Sequence, residues 1–151
     1  MRAAVLSWIA IGLWLATAVA VGAMLVRGRT EPTDDGRTAV VLDPGETAFV
    51  LGEMQVLLAS LQSIVRGLAD NDMKAVRAAA VRSGGSVVSS VPASLALKLP
   101  MGFRELGRDV HDAFDEIAVA ADQGETREMI LGHIDRLIGR CIACHSAYQL
   151  R

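Results

Sequence analysis

The sequence predicts an all-α fold, an antiparallel up-down-up-down four-helix bundle preceded by a single N-terminal transmembrane helix. Three observations carry this. Apolar residues recur at steps of three and four through separate stretches after residue 46, the spacing that lines one face of a helix. Residues 3–26 are 24 consecutive positions without a charge. Aromatics make up only 4% of the 151 residues and β-branched runs are short, so no strand is expected.

A chain of this length holds one modest domain. Its net charge is −2 and its pI about 5.9, with both signs spread along the sequence. It therefore lacks the basic stripe of a nucleic-acid binder. Much of the mean hydropathy of +0.36 comes from the N-terminal stretch, which includes Trp8, Ile9, Leu13, Trp14, Leu15, Val19, Val21 and Leu25. At about 1.5 Å per residue this stretch covers a hydrocarbon core of roughly 30 Å. It is longer than the roughly 7–15 apolar residues of a signal peptide, so residues 1–26 read as a retained anchor. Ala18-Val19-Ala20 fits an A-x-A cleavage site, which keeps a processed signal peptide as the alternative. Arg2 on one flank and Arg27 and Arg29 on the other leave the orientation undecided by charge.

Residues 27–45 contain Glu31-Pro32-Thr33-Asp34-Asp35-Gly36 and Asp43-Pro44-Gly45, with Val40, Val41 and Leu42 as their only apolar cluster. This composition predicts a polar tether that gives the following domain reach. Within residues 46–151, a first helix over 47–68 places Val50, Met54, Leu57, Leu61, Ile64 and Leu68 on one seam. Asp70-Asn71-Asp72 supplies the turn and N-cap for a short second helix over 73–83, with Val76, Ala79 and Ala80 inward. Gly84-Gly85 ends it, and 86–99 is irregular apart from a short helix after Pro92. Pro100 opens a third helix with Phe103, Leu106, Val110, Phe114, Ile117 and Ala121 on its seam, stopped near Gln123-Gly124. Its other face carries Glu105, Asp109, Asp112 and Glu116, a solvated stripe that could also meet a basic partner. Thr126 caps a fourth helix with Ile130, Ile134, Leu137, Cys141, Cys144 and Tyr148 along its seam.

That fourth helix ends in Cys141-Ile142-Ala143-Cys144-His145, which contains the only two cysteines. C-x-x-C-H is the attachment pattern of c-type haem. Residues i and i+3 share a helical face, so both thiols can form thioethers with the vinyl groups on one porphyrin edge. The adjoining imidazole of His145 can then ligate the iron. Three other uses stand beside this one. A thioredoxin-type dithiol is disfavoured because no βαβ pattern precedes the motif. Zinc needs about four ligands, with only His111 and His133 left to join. A local disulfide is the third.

Bundle length sets the neighbours of the motif. His145 lies 19 residues beyond Thr126, about 28 Å along the helix. The same count back from Asp70 and Gly124 reaches Leu51 and Glu105, so residues near 50–57 and 101–106 are expected to flank the porphyrin. Met73 and Met129 belong to the far end and Met24 to the anchor. Met54, on the inward stripe of the first helix, is therefore the leading sixth ligand, since a thioether opposite His gives a six-coordinate iron of raised potential. Met101, an open distal position, and a Met54 that only fills the core are the alternatives. His111 and His133 lie beside their seams and read as half-exposed helix residues.

With these residues in place the chain resembles the class II cytochromes c, the cytochrome c prime group and its low-spin Met-ligated relatives. The resemblance rests on the four-helix pattern over 46–151, the C-terminal Cys141-x-x-Cys144-His145 and Tyr148 three residues later. It implies haem c on Cys141 and Cys144, His145 as proximal iron ligand and Met54 on the distal side. Gln149 departs from the basic residue often found after the tyrosine, and the second helix is short. The expected function is single-electron transfer by a membrane-tethered carrier rather than catalysis, because no catalytic acid, base or nucleophile is identified. The alternative is a five-coordinate haem protein that binds or senses diatomic gases such as NO or CO, and a haem-free structural subunit is the third reading. Because c-type haem is attached outside the bacterial cytoplasmic membrane, the haem reading orients the anchor N-in and C-out, with the domain in the periplasm. Expected partners are redox proteins at or near the membrane, the membrane itself and a second copy in a homodimer.

Overall fold

Polar caps and prolines set where the chain coils. The computed structural model describes residues 2–86 and 91–151. Residues 87–90 of the expected irregular stretch lie outside them. Helix α1 (Arg2–Arg27) leads into strands β1 (Thr30–Pro32) and β2 (Thr38–Val40). Helix α2 (Pro44–Ala69) starts after Asp43, whose backbone N–H donates to the Glu46 carboxylate at 2.9 Å, half of a capping box. Helix α3 (Met73–Val81) starts at Asp72, whose carboxylate accepts from Ala75 N at 2.9 Å. Asn71 turns the chain at φ 56°, a conformation asparagine tolerates. Helices α4 (Ala93–Lys98) and α5 (Met101–Asp122) follow Pro92 and Pro100. Helix α6 (Arg127–Ala147) is capped by the Thr126 hydroxyl, which accepts from Met129 N at 3.3 Å. Strand β3 (Tyr148–Leu150) ends the chain but for Arg151.

The described residues are therefore mostly helical, as expected, with one correction. Three short strands form a sheet in the order β1-β2-β3, β1 antiparallel to β2 and β3 parallel to it. Tyr148 lies opposite Thr38 and Leu150 opposite Val40, so Tyr148 leaves the helical seam on which it was expected. The tether expected over 27–45 is likewise folded structure. Ala39 and Val40 are fully buried, which accounts for the apolar cluster in an otherwise polar stretch. Strands of three residues are too short to show a period of two, and their pairing partner lies at the other end of the chain.

Four helices build the main core. Ile64 and Leu68 from α2, Val76, Ala79 and Ala80 from α3, Val110, Phe114 and Ile117 from α5, and Ile130, Ile134 and Leu137 from α6 form one buried cluster. Close backbone packing runs α2 to α3, α3 to α5 and α5 to α6. Helix α3 has 9 residues against 22 in α5, so it spans only about 14 Å. Beyond it residues 83–86 continue along the domain. Ser83 Oγ donates to Ser60 Oγ at 2.8 Å in the interior, and Gly85 N donates to Asp115 at 2.8 Å. A second cluster closes this other end, with Val40 and Leu42, Val50 from α2, Leu95 and Leu99 around α4, and Phe103 from α5.

Among the described residues two helices are long and apolar enough to cross a membrane, Leu6–Arg27 at mean hydropathy 2.3 and α2 at 1.6. The first buries nothing against the rest of the chain, whereas α2 turns Val50, Ser60, Ile64, Gly67 and Leu68 into the domain. The end of α1 is clamped to that domain. Arg29 N donates to Lys98 O at 2.7 Å, Val41 N to Arg29 O at 2.8 Å, and Arg104 Nη2 to Leu25 O at 3.0 Å. Gly28 makes the joint with φ +61°, and a Cβ there would sit 2.4 Å from Lys98 O and 2.5 Å from Pro100 N.

Gly28→Ala is accordingly expected to cost at least about 1–2 kcal/mol for the left-handed backbone alone, lowering the melting temperature by several degrees in a circular-dichroism melt of the full chain. An unchanged melt would contradict the clamp. A second expectation concerns Lys98, whose ammonium lies 2.7 Å from Asp43 and 2.8 Å from Glu46. The hydrogen bonds from Lys98 hold both carboxyls below their ordinary values of 3.8 and 4.5, and those same bonds raise Lys98 above 10.5. Depressed carboxyl values contribute stability above the unfolded values and lose it as pH falls through the folded ones. The raised Lys98 contributes below 10.5 and loses its share as pH rises through its folded value. The difference in melting temperature between wild type and Lys98→Met should therefore hold from pH 5 to pH 10 and shrink below about pH 4. A difference that grows in acid would be the wrong sign.

Candidate functional site

Along α6 the seam passes from the main core to the second cluster. Ile130, Ile134 and Leu137 are buried, Cys141 is half-buried against the main core, and Cys144 is half-buried against the second cluster. Both are free thiols. The two sulfurs thus share a face one turn apart, as the spacing requires, and each meets a different body of apolar side chains. His145 follows in the last turn and is exposed.

The second cluster supplies the surroundings. Met54 and Phe49 from α2 pack against it together with Cys144, Tyr148 and Leu150. Met54 and the motif, 90 positions apart by their numbers (144 − 54), are thus brought to one apolar cluster. Val50 from the expected flanking stretch 50–57 and Phe103 from 101–106 are in it too. Met101, the alternative ligand, heads α5 and is 43% exposed. The rings of Phe103 and Tyr148 meet edge to face at 5.5 Å and 86°, a favourable aromatic geometry. Tyr148 passes so close to the first turn of α5 that a Cβ on Gly102 would lie 2.7 Å from its hydroxyl. Any larger residue there would push the phenol aside.

Burial pushes the thiols of Cys141 and Cys144 above the ordinary range, with the neighbouring Cys141 adding to the effect at Cys144. Dithiol redox sites work in the opposite direction, through a depressed thiol pKa that exposes a thiolate. This environment weighs against the thioredoxin-type use. Among the described residues no group of three His, Cys, Asp or Glu side chains converges as a metal site. The two remaining histidines are engaged elsewhere. His111 Nδ1 lies 2.8 Å from Ser83 O and so donates to it. His133 accepts from Arg136 at Nδ1 (2.9 Å), while its Nε2 faces Glu125 at 3.2 Å. The acidic stripe of α5 is also partly used, since Arg140 binds the Glu116 carboxylate at 3.3 Å and the Asp109 carbonyl at 2.6 Å.

The residues fit a haem. Two thiols stand at the attachment spacing, an accessible imidazole follows, and a thioether sulfur lies in the cluster that holds Cys144. Apolar surface also remains uncovered beside them. Ile138 and the 62% exposed Ile142 precede His145 by seven and three positions, and Leu51 and the 67% exposed Leu58 lie three and four positions from Met54. Those spacings put each pair on the face of its ligand candidate, where a flat apolar group would cover it. Phe49, Gly102 and Leu150 had no place in the sequence reading. Phe49 lies one position off the α2 seam, and the other two matter only because Tyr148 leaves the helix. No protein-family model, curated protein or solved structure matches the chain.

Proposed function

We propose that the chain is a membrane-anchored c-type cytochrome of the class II kind, a four-helix haem bundle that carries single electrons. The observation that carries this reading is the cysteine pair of Cys141-x-x-Cys144-His145 on the inward face of α6, with Met54 in the cluster that takes up Cys144. Bound haem supplies a one-electron ferrous–ferric couple whose potential follows its axial ligands. Cys141 and Cys144 would hold it covalently, and His145 and Met54 would offer an imidazole nitrogen and a thioether sulfur to its iron. Phe103 and Tyr148, packed edge to face, belong to the apolar cluster that takes up Cys144.

The fold favours a partner at the membrane. The motif stands at the C-terminal end of α6, and the N-terminal halves of α2 and α5 meet it there. The exit of α1 is clamped to the same end through Lys98 and Arg104. With α1 as a retained anchor crossing the bacterial inner membrane, the domain lies in the periplasm, and the haem is carried close to the bilayer instead of on a free tether.

Expression of the full chain with a c-type maturation system tests the proposal. Haem staining should survive denaturing electrophoresis in the wild type and disappear in Cys141→Ala/Cys144→Ala. His145→Ala should yield no stable holoprotein. A wild-type band without stain would contradict the proposal, as would normal holoprotein from His145→Ala.

A further inference from the structure

The clamp at the end of α1 brings more of the domain to the membrane than the helix itself. This inference rests on the reading of α1 as an anchor. Leu25 lies inside the apolar stretch, yet its carbonyl accepts from Arg104 of α5 at 3.0 Å, so the first turn of α5 runs beside the last turn of α1. Gly28 lies against the Lys98 carbonyl, and Arg29 N donates to it at 2.7 Å. The end of α4 is therefore at the depth where α1 leaves the bilayer. Two large apolar side chains are open at this corner, Leu97 at 58% exposure and Met101 at 43%. Arg27 and Arg29 flank the Gly28 joint, whose backbone packs against Lys98, Leu99 and Pro100 between Leu97 and Met101. Lys98 is occupied by Asp43 and Glu46, which neutralises carboxylates that would otherwise repel anionic headgroups.

Open apolar residues among cations, at the depth of a helix exit, have the composition of a surface that lies in the bilayer interface. We infer that the α4–α5 corner, through Leu97 and Met101, is seated in the headgroup region of the bilayer that α1 crosses, with Arg27 and Arg29 facing lipid phosphate. The membrane would then hold the domain at a fixed tilt with the motif end toward the lipid.

The test places the photoreactive residue p-benzoylphenylalanine singly at Leu13, Leu97 or Val119 of the full chain. Each variant is reconstituted in nanodiscs of phosphatidylcholine and phosphatidylglycerol and irradiated, and its intact mass is then measured under denaturing conditions. Leu13 lies in α1, and Val119 is an exposed residue of α5 remote from the clamp. The expected result is a mass gain of one phospholipid at Leu13 and Leu97 and none at Val119. Lipid at Leu13 alone would overturn the seated corner and leave the anchor standing. No lipid at Leu13 would overturn the anchor and the inference with it. Lipid at all three positions, or a chain-to-chain crosslink at Leu97, would also overturn it.

Discussion

The hydrogen-bonded pairing of Tyr148–Leu150 with Thr38–Val40 fixes the two ends of the folded domain in one place. Arg151 N donates to Val40 O and Leu42 N to Arg151 O, each at 3.0 Å, which extends the pairing beyond the strands. Arg37 adds a bond to the Gln149 side chain at 2.6 Å. Because β3 must lie on β2, α6 has to stop at Ala147, and its last turn is held over the first turn of α5. Tyr148 can then pack on Phe103, and Cys144 shares a cluster with Met54. The other neighbour of β2 is β1, which follows the end of α1. One small sheet thus links the candidate site to the membrane-length helix.

The two apolar clusters divide the work. The main cluster draws on four helices and is filled by Phe114, Ile64, Ile117, Ile130 and Leu137. Removing a large side chain there would cost about 2–5 kcal/mol. The second cluster is smaller and joins the starts of α2 and α5, the six-residue α4 and the segments around β2 and β3. Exposed Leu51 of α2 and Ile142 of α6 lie three positions from Met54 and His145 respectively.

Much of this was legible in the residues. Asp72, Thr126 and Pro100 mark helix starts through local chemistry, and seams of period 3.6 locate the faces of α2, α5 and α6, whereas Pro44, expected in the tether, opens α2. Length counted along helices was enough to put residues near 50–57 and 101–106 at the level of the motif. The sheet was not legible, because Thr38–Val40 and Tyr148–Leu150 are short, and neither has a local pattern that names its distant partner. Tyr148 illustrates the conflict. Its spacing continues the α6 seam, yet backbone hydrogen bonds to β2 pull it into extended conformation at φ −130°. The clamp at Gly28 was equally hidden, since a glycine between two arginines reads as linker until the backbone of Lys98 is seen against it.

Under the proposed reading the two half-buried thiols, made poor thiolates by burial, serve as attachment points rather than as a redox dithiol, with the Met54 sulfur in the same cluster as Cys144 as the second iron ligand. The most direct measurement of this central claim is an absorption series on the purified wild-type holoprotein, oxidised, reduced, and reduced under CO. Ligation by His145 and Met54 requires low-spin spectra in both oxidation states and a reduced spectrum that CO leaves unchanged. A high-spin ferric spectrum with ready CO binding would contradict it and point to the gas-binding alternative.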